Sequence, residues 1–196
     1  MYFDMKDLTF ATRSYRAFDQ SVKVMKEELL ELVDIARLTG CAKNSQVLKY
    51  RLVEDNDEVE GMISQVRWAG KLNIQLPPEG KHPGAFIVIC HDTAVEAESQ
   101  LFMIDVGIAA QTILLSATEI GLGGCMFYSF QSDKLAEFLA LPEGIVPKLV
   151  IALGKPAETV ILTAPGKNGD LSYFRDTAGV HYVPKRTLSD ILIEKK

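Results

Sequence analysis

The sequence has few of the residue types that build disulfide frameworks and metal centres. Its 196 residues include three cysteines and three histidines, and neither a CxxC nor an HExxH motif occurs. An odd number of scattered cysteines excludes a disulfide framework and is typical of the reducing cytoplasm, where we expect this protein to be located. Cys90 and His91 are adjacent in a predicted strand, so their side chains should point to opposite faces of a sheet. The pattern predicts no metal site.

An excess of positive charge is also missing. The chain has 21 lysines and arginines against 26 acidic residues, a net charge of −5. We therefore expect neither nucleic acid nor a membrane surface as a partner, and any anion that the protein binds must meet a local basic site. The longest apolar run, 101–120, is interrupted by Asp105, Gln111 and Glu119, which favours a buried helix over a membrane span. The N-terminus shows no basic segment followed by an apolar one, so no secretory signal is expected.

Sequence motifs for nucleophilic catalysis and dinucleotide binding are lacking as well. No G-x-S-x-G elbow occurs. The GLGG stretch at 121–124 follows a predicted helix, and a G-x-G-x-x-G fingerprint would need glycine at Met126. Gly123 and Gly124 are consistent either with a flat ring lying against the main chain or with a tight turn.

Regular elements alternate along the whole chain. Apolar spacing predicts an amphipathic helix over 24–38, ended by Gly40. A helical pattern over 55–72 precedes a loop rich in proline and glycine, and Thr187 to Asp190 form a capping-box pattern that opens a last helix. Further predicted elements are strands at 49–55, 85–91, 125–130 and 148–154, an apolar helix at 98–120, and a short helix at 132–141 with Ser132 as its N-cap. This alternation predicts an α+β or α/β class and one domain over 1–196.

Two basic clusters stand out in an acidic chain. One is formed by Arg13, Ser14 and Arg16, and the other by Lys185 and Arg186. Guanidinium forks and a serine hydroxyl suit a phosphate, and a lysine adds a point charge. Each cluster alone is most often a solvated surface feature, and local spacing does not show that the two converge.

Taken in order, five segments resemble the nitroreductase family of FMN-dependent oxidoreductases. "RSYRAFD" resembles the family's basic opening, "GCAKNSQ" its flavin-contacting loop, and "DVGIAAQTILLSATEIGLGG" its central helix and glycine turn. "ALGKP" resembles a strand end, and "FRDTAGVHYVPKRTLSDI" resembles the closing segment. The resemblance covers residues 12–192. It implies an α+β fold of three α-β-α layers around a mainly antiparallel sheet, in an intertwined homodimer whose two FMN sites are built from both subunits.

The resemblance also implies roles for particular residues. Arg13, Ser14 and Arg16, with Lys185 and Arg186, would hold the FMN phosphate. Gly123 and Gly124 would supply backbone near the ring. The ring and the ribityl chain would be lined by Cys41, Ala42, Lys43, Asn44 and Gln46.

The sequence departs from the family pattern at two places. Thr12 stands where the first arginine is usual, which predicts weaker phosphate binding or a larger share for Lys185. The loop has Gly40-Cys41 in place of Pro-Ser and Gln46-Val47-Leu48 in place of Gln-Pro-Trp.

The segment 68–83 is the candidate lid over the substrate, with Trp68 and Leu72 as its candidate substrate contacts.

The implied activity is transfer of hydride from NADH or NADPH to FMN, followed by electron transfer to a nitroaromatic, quinone or similar small-molecule acceptor in a ping-pong cycle. The flavin N5 would carry the chemistry, so no catalytic side chain is assigned. Two alternatives stay open: an FMN-binding protein without NAD(P)H turnover, which holds or fragments flavin, and a dimeric interaction protein without the cofactor.

Overall fold

The computed structural model describes residues 4–69, 74–97 and 99–193. The chain forms two compact units, Met1–Ala157 and Glu158–Lys196, which are described separately below. The expectation of one domain over 1–196 stays a prediction.

An antiparallel sheet organises the first unit. Its strands are β1 (Leu48–Val53), β2 (Ala85–Asp92), β3 (Gly123–Phe127) and β4 (Ile145–Gly154). Among the described residues they pair in the order β1-β2-β4-β3, and every pair is antiparallel. Helices cover both faces: α1 (Met5–Ala11), α2 (Lys26–Ala36), α3 (Asn56–Gln65), α4 (Gln100–Glu119) and α5 (Ser132–Phe138).

The central strands are apolar on both sides because both faces of the sheet are buried. Ile87 and Ile89 of β2 belong to a core with α2 and α4, whereas Phe86 and Val88 belong to a second core with α3 and α5. This alternation of side chains along a strand gives three layers, α-β-α. The expected α+β class with an antiparallel central sheet is confirmed.

Helix α4 lies against the sheet along one side only. Val106, Ala110 and Ile113 are fully or almost fully buried in the first core. By length and composition Gln100–Glu119 could cross a membrane, but core helices pass the same test, and the packing of α4 on the sheet identifies it as one. Gly121 ends the helix at a φ of +81°, while the N–H groups of Gly121 and Leu122 donate to the carbonyls of Thr118 and Ala117, a Schellman motif.

Two expectations for this unit are wrong. The helix predicted over 55–72 ends at Gln65, because Val66 is extended and forms an antiparallel bridge with Phe130. Ser132 is not an N-cap: Gln131 occupies that position, and the Ser132 hydroxyl donates to the Pro147 carbonyl at 3.1 Å.

The second unit is a small sheet followed by a short helix. Strand β5 (Val160–Thr163) pairs in parallel with β7 (His181–Pro184), which pairs antiparallel with β6 (Phe174–Arg175). The Arg175 guanidinium donates a hydrogen bond to the carboxylate of Glu158 within this unit. The predicted capping box is confirmed: Thr187 and Asp190 cap α6 (Leu188–Ile191) reciprocally.

Candidate functional site

The N-terminal basic segment is fixed at both of its ends. Thr12 is buried, its hydroxyl donates to the Leu8 carbonyl at 2.7 Å, and it lies 2.9 Å from the Thr118 hydroxyl at the end of α4. Phe18 is 1% exposed and forms a bridge with Pro156. Thr12, which replaces the family's arginine, therefore connects α1 to α4 through side-chain hydrogen bonds.

Between Thr12 and Phe18, the predicted phosphate ligands carry hydrogen-bond donors. Ser14 is exposed and its backbone bridges to Gly124, while Arg16 donates to the Ser14 carbonyl at 3.1 Å. Arg13 donates through Nη2 to the Thr9 carbonyl at 2.5 Å, and no described acidic residue forms an ion pair with it. The Nε of Arg13 is buried without a hydrogen-bond partner among the described residues.

Burial lowers the pKa of Arg13 from its ordinary value, against a smaller opposing effect of Tyr15. The guanidinium nevertheless stays charged at neutral pH, since arginine does not deprotonate in proteins. A partly desolvated cation with an unused donor, followed in the sequence by an exposed serine, is a donor set that fits a phosphate group. The residues present therefore fit the cofactor that the sequence resemblance implies.

The predicted ring-contacting loop, 41–46, has unusual backbone geometry. Lys43, Asn44 and Gln46 all lie in the left-handed region, with φ values of 53°, 54° and 50°. Residues other than glycine seldom adopt this conformation, and such strain persists where surrounding contacts enforce it, often at functional sites. One enforcing contact is visible: the N–H of Ala42 donates at 3.0 Å to the carboxylate of Asp105, a buried residue of α4.

A cavity of about 280 Å³ lies beside this loop. Its lining includes Cys41 and Gln46 from the predicted set, with Tyr50 of β1 and Asp105 of α4. Burial, and secondarily the Cys41 thiol, raises the pKa of Tyr50, so its phenol stays neutral. Lys43 instead pairs with Glu96 at 3.1 Å, and hydrogen bonds from Ser45 and then Lys43 lower the pKa of that carboxylate.

The phosphate-binding candidates and the 41–46 loop lie near opposite ends of α4. Thr12 contacts Thr118, whereas Ala42 contacts Asp105. Thirteen residues of helix separate these contacts, about 20 Å along the axis at 1.5 Å per residue. Each end of α4 thus carries one half of the predicted site.

Gly123 and Gly124 are closely packed against the protein itself. A Cβ on Gly123 would lie 2.6 Å from the Tyr15 ring, and one on Gly124 would lie 2.3 Å from the Ala152 carbonyl oxygen. These contacts account for both glycines as packing requirements. Their predicted role near a flavin ring stays a prediction.

The remaining predicted residues are distributed over the chain. Lys185 and Arg186 are exposed in the second unit, between β7 and α6. The Trp68 indole packs edge-on against Phe127, with ring centroids 4.5 Å apart, and donates to the Ile63 carbonyl. Leu72 lies outside the described residues. In the predicted lid, the Lys81 carbonyl accepts a hydrogen bond from the Phe18 N–H, and the His82 Nδ1 lies 2.8 Å from the Glu60 carboxylate.

The adjacent residues Cys90 and His91 lie in different surroundings. Burial raises the pKa of Cys90 to about 12, so this thiol is inert. His91 stacks on Phe102 in the other core, and so the two neighbours do point to opposite faces. Over residues 4–69, 74–97 and 99–193, no cluster of three potential metal ligands occurs.

Sequence reasoning missed Asp105 and Tyr50. Asp105 was visible only as one interruption of an apolar run. A lone carboxylate on the apolar side of a helix is a usable signal, because such a group is buried only with a hydrogen-bond partner.

The profile described as "Nitroreductase family" matches residues 10–155. The chain belongs to the nitroreductase family. A relative from Methanothermobacter thermautotrophicus, named "Putative NADH dehydrogenase/NAD(P)H nitroreductase", is 26% identical over 159 residues, covering 79% of this chain and 78% of the relative.

Two solved structures share the nitroreductase fold. One is the "FMN-dependent Nitroreductase" of Clostridium difficile R20291, 25% identical, with a TM-score of 0.63 over 79% of this chain and 88% of that one. The other is a nitroreductase family protein from Streptococcus pneumoniae TIGR4, 16% identical, with a TM-score of 0.70 over 98% of this chain and 100% of that one. The family match includes the 13–16 segment, the 41–46 loop and both glycines, whereas Lys185 and Arg186 lie beyond it.

Proposed function

We propose that this nitroreductase family member is an FMN-dependent oxidoreductase. It takes hydride from NADH or NADPH and passes electrons to a nitroaromatic, a quinone or a similar acceptor. The observation that carries the proposal is Arg13, a partly buried cation whose Nε has no partner among the described residues and which is followed in the sequence by the exposed Ser14. The relative named as an NAD(P)H nitroreductase and the FMN-dependent structural neighbour support the choice of donor and cofactor.

When bound, FMN would supply the ring that accepts hydride and releases electrons; the protein supplies binding, orientation and exclusion of water. Arg13, Ser14 and Arg16 would hold the phosphate, with Lys185 and Arg186 adding positive charge. Cys41, Ala42, Asn44 and Gln46 would shape the space around the ring and the ribityl chain. Lys43 contributes less charge, since Glu96 pairs with it. NAD(P)H and the acceptor would use one pocket in turn, as in a ping-pong cycle.

We further propose that the functional form is a homodimer packed through α4. Leu101, Ile104 and Ile108 of this helix are 46%, 60% and 40% exposed within the single chain. They lie on one stripe with Gln111 and Leu115, at the spacing of one helix face. An exposed apolar stripe of this kind indicates an interface.

A two-fold axis near the middle of α4 would also complete the site. Such an axis packs the helix antiparallel to its copy, so that the Asp105 end of one protomer meets the Thr118 end of the other. The 41–46 loop of one subunit would then lie beside the 13–16 segment of its partner. The separation of the two half-sites along α4 supports this arrangement.

The decisive experiment is anaerobic reduction of the purified protein. We expect flavin absorbance close to one FMN per chain, loss of that absorbance on adding NADH or NADPH, and its return on adding a nitroaromatic or a quinone. Flavin colour that neither nicotinamide bleaches would support the flavin-holding alternative. Protein that takes up no FMN on reconstitution would support the interaction protein.

The Arg13→Ala variant tests the observation that carries the proposal. Loss of a charge-assisted hydrogen bond should weaken FMN binding by about 1.5–3 kcal/mol, roughly 10- to 150-fold in Kd. Flavin fluorescence quenching gives the Kd. Lys6→Ala, which removes an exposed charge from α1, is the matched control and should leave the Kd as it is.

A further inference from the structure

The cavity of about 280 Å³ beside the 41–46 loop extends from the surface into the first core. Ala36 of α2 and Asp105 and Ala109 of α4 line it and are buried, so they form its floor. Arg37 lines it as well and is exposed, so the cavity is open to solvent on one side. A concave space of this kind can admit a small molecule.

The cavity lies where this chain has a smaller side chain than the family pattern. Leu48 of β1 lines it, and the family has tryptophan at this position. An indole side chain there would extend into space that leucine leaves open. An apolar cavity of about 150 Å³ binds benzene, so a cavity of about 280 Å³ can admit two fused rings.

The walls of the cavity suit a flat aromatic body. Val33, Ala36 and Ala109 supply aliphatic surface, and Tyr50 supplies a ring. The Tyr50 phenol is neutral, because burial raises its pKa. Aromatic rings pack well on one another in edge-to-face or offset-stacked geometry.

The floor of the cavity carries a hydrogen-bond acceptor. Asp105 is 5% exposed, its carboxylate accepts the Ala42 N–H at 3.0 Å, and it forms no ion pair within the described residues. The Arg37 guanidinium pairs with Asp34 at 2.6 Å instead. A carboxylate can accept about four hydrogen bonds, and a buried one is stabilised by each further donor. The floor therefore favours a ligand that carries an N–H group.

We propose that this cavity binds a small aromatic molecule of two fused rings with an N–H donor, and that the bound molecule holds the 41–46 loop in its observed conformation. The N–H donates to Asp105, the rings fill the space beside Leu48, and their edge contacts Cys41 and Gln46 of the loop. This molecule is neither the hydride donor nor the electron acceptor, which share a different pocket. An effect on flavin binding rests on the proposed oxidoreductase function; the binding and the effect on the loop do not.

The test uses two probes of the same shape, indole and benzofuran, in which an oxygen replaces the N–H. Each is titrated into the FMN-saturated protein and followed by NMR. Indole should bind roughly tenfold more tightly, the contribution of one hydrogen bond to a charged acceptor. Asp105→Asn, which leaves a neutral acceptor, should lower this ratio.

Two tryptophan variants locate the site. Leu48→Trp should abolish indole binding, because the new side chain occupies the cavity. Leu30→Trp adds the same side chain on the exposed side of α2 and should leave indole binding unchanged. The probe pair needs no variant, so the test does not depend on the folding of Leu48→Trp.

Trypsin reports on the loop. Saturating indole should slow cleavage after Lys43 severalfold, because the occupied cavity supports the loop from behind. Leu48→Trp should be cleaved slowly without indole. Mass spectrometry of the fragments identifies the cleavage site.

Equal affinity for the two probes, indole binding that persists in Leu48→Trp, or no binding to the wild type overturns the proposal. Displacement of FMN by indole overturns it as well, since the cavity would then belong to the flavin ring. Neither assay requires NAD(P)H or turnover. Protein without flavin chemistry that still binds indole in this way therefore supports the cavity as a binding site while contradicting the proposed function.

Discussion

Asp105 shows how one side chain can control a neighbouring loop. Its buried carboxylate accepts the Ala42 N–H at 3.0 Å, at the start of a loop in which Lys43, Asn44 and Gln46 are left-handed. Each left-handed residue other than glycine costs on the order of 1 kcal/mol or more. A hydrogen bond to a charged acceptor contributes about 1.5–3 kcal/mol, enough to offset part of that cost.

We therefore expect Asp105→Ala to release the loop. Trypsin should cleave after Lys43 faster in this variant, because the loop would sample extended conformations that the protease accepts. Asp105→Asn keeps an oxygen acceptor and should show an intermediate rate. Equal cleavage rates in all three proteins would contradict a positioning role for Asp105.

Gly124 has a different role from Asp105, because its lack of a side chain lets β3 approach the backbone of β4 closely. In Gly124→Ala the new methyl would lie 2.3 Å from the Ala152 carbonyl oxygen, inside the β3–β4 pair. Overpacking of this kind costs about 1–3 kcal/mol or more, so the urea midpoint should fall. Gly40→Ala is the control, since no atom lies within 4 Å of its added Cβ. Equal urea midpoints for the two variants would refute the packing explanation.

At the scale of elements, α4 has two different sides: its buried side packs on the sheet in the first core, and its opposite side carries exposed apolar residues. If the stripe of Leu101, Ile104, Ile108, Gln111 and Leu115 packs on its copy, a residue near the two-fold axis meets itself. Gln111 is exposed at the middle of that stripe.

Gln111→Cys should thus form a disulfide-linked dimer on mild oxidation, visible on a non-reducing gel. Glu119→Cys, at the end of the same helix, places its thiols far apart in that arrangement and should stay monomeric on the gel. The wild type, with Cys41 partly exposed, controls for native thiols. Equal cross-linking at 111 and 119 would exclude an axis near the helix centre.

The elements also show where sequence reasoning succeeds. The apolar helix predicted at 98–120 is observed at Gln100–Glu119, because a long apolar run and a terminal glycine leave a strong local signal. The helix predicted at 55–72 was too long, since its end depends on Val66 pairing with Phe130, a contact that local periodicity does not encode.

For the site, the resemblance named the loop and the basic segment. It did not name Asp105, whose partner Ala42 is 63 residues away in the sequence. Long-range partners of this kind become visible only in the folded chain.

At the scale of the whole molecule, the fold and the family agree, and the first unit contains nearly all of the predicted cofactor contacts. The family match over 10–155 falls within Met1–Ala157, while Lys185 and Arg186 belong to Glu158–Lys196. Truncation after Ala157 would therefore remove two of the residues that the family resemblance assigns to the phosphate.

The placement of the two half-sites at opposite ends of α4 has a consequence for how the protein would behave on dilution. If each cofactor contacts two subunits, flavin retention and subunit association are coupled by mass action. Serial dilution should release flavin in step with dissociation of the dimer, and added flavin should shift the dissociation to lower protein concentration. Flavin fluorescence and analytical ultracentrifugation on the same samples would follow both. Flavin that stays bound to separated subunits would mean that a single chain completes the site.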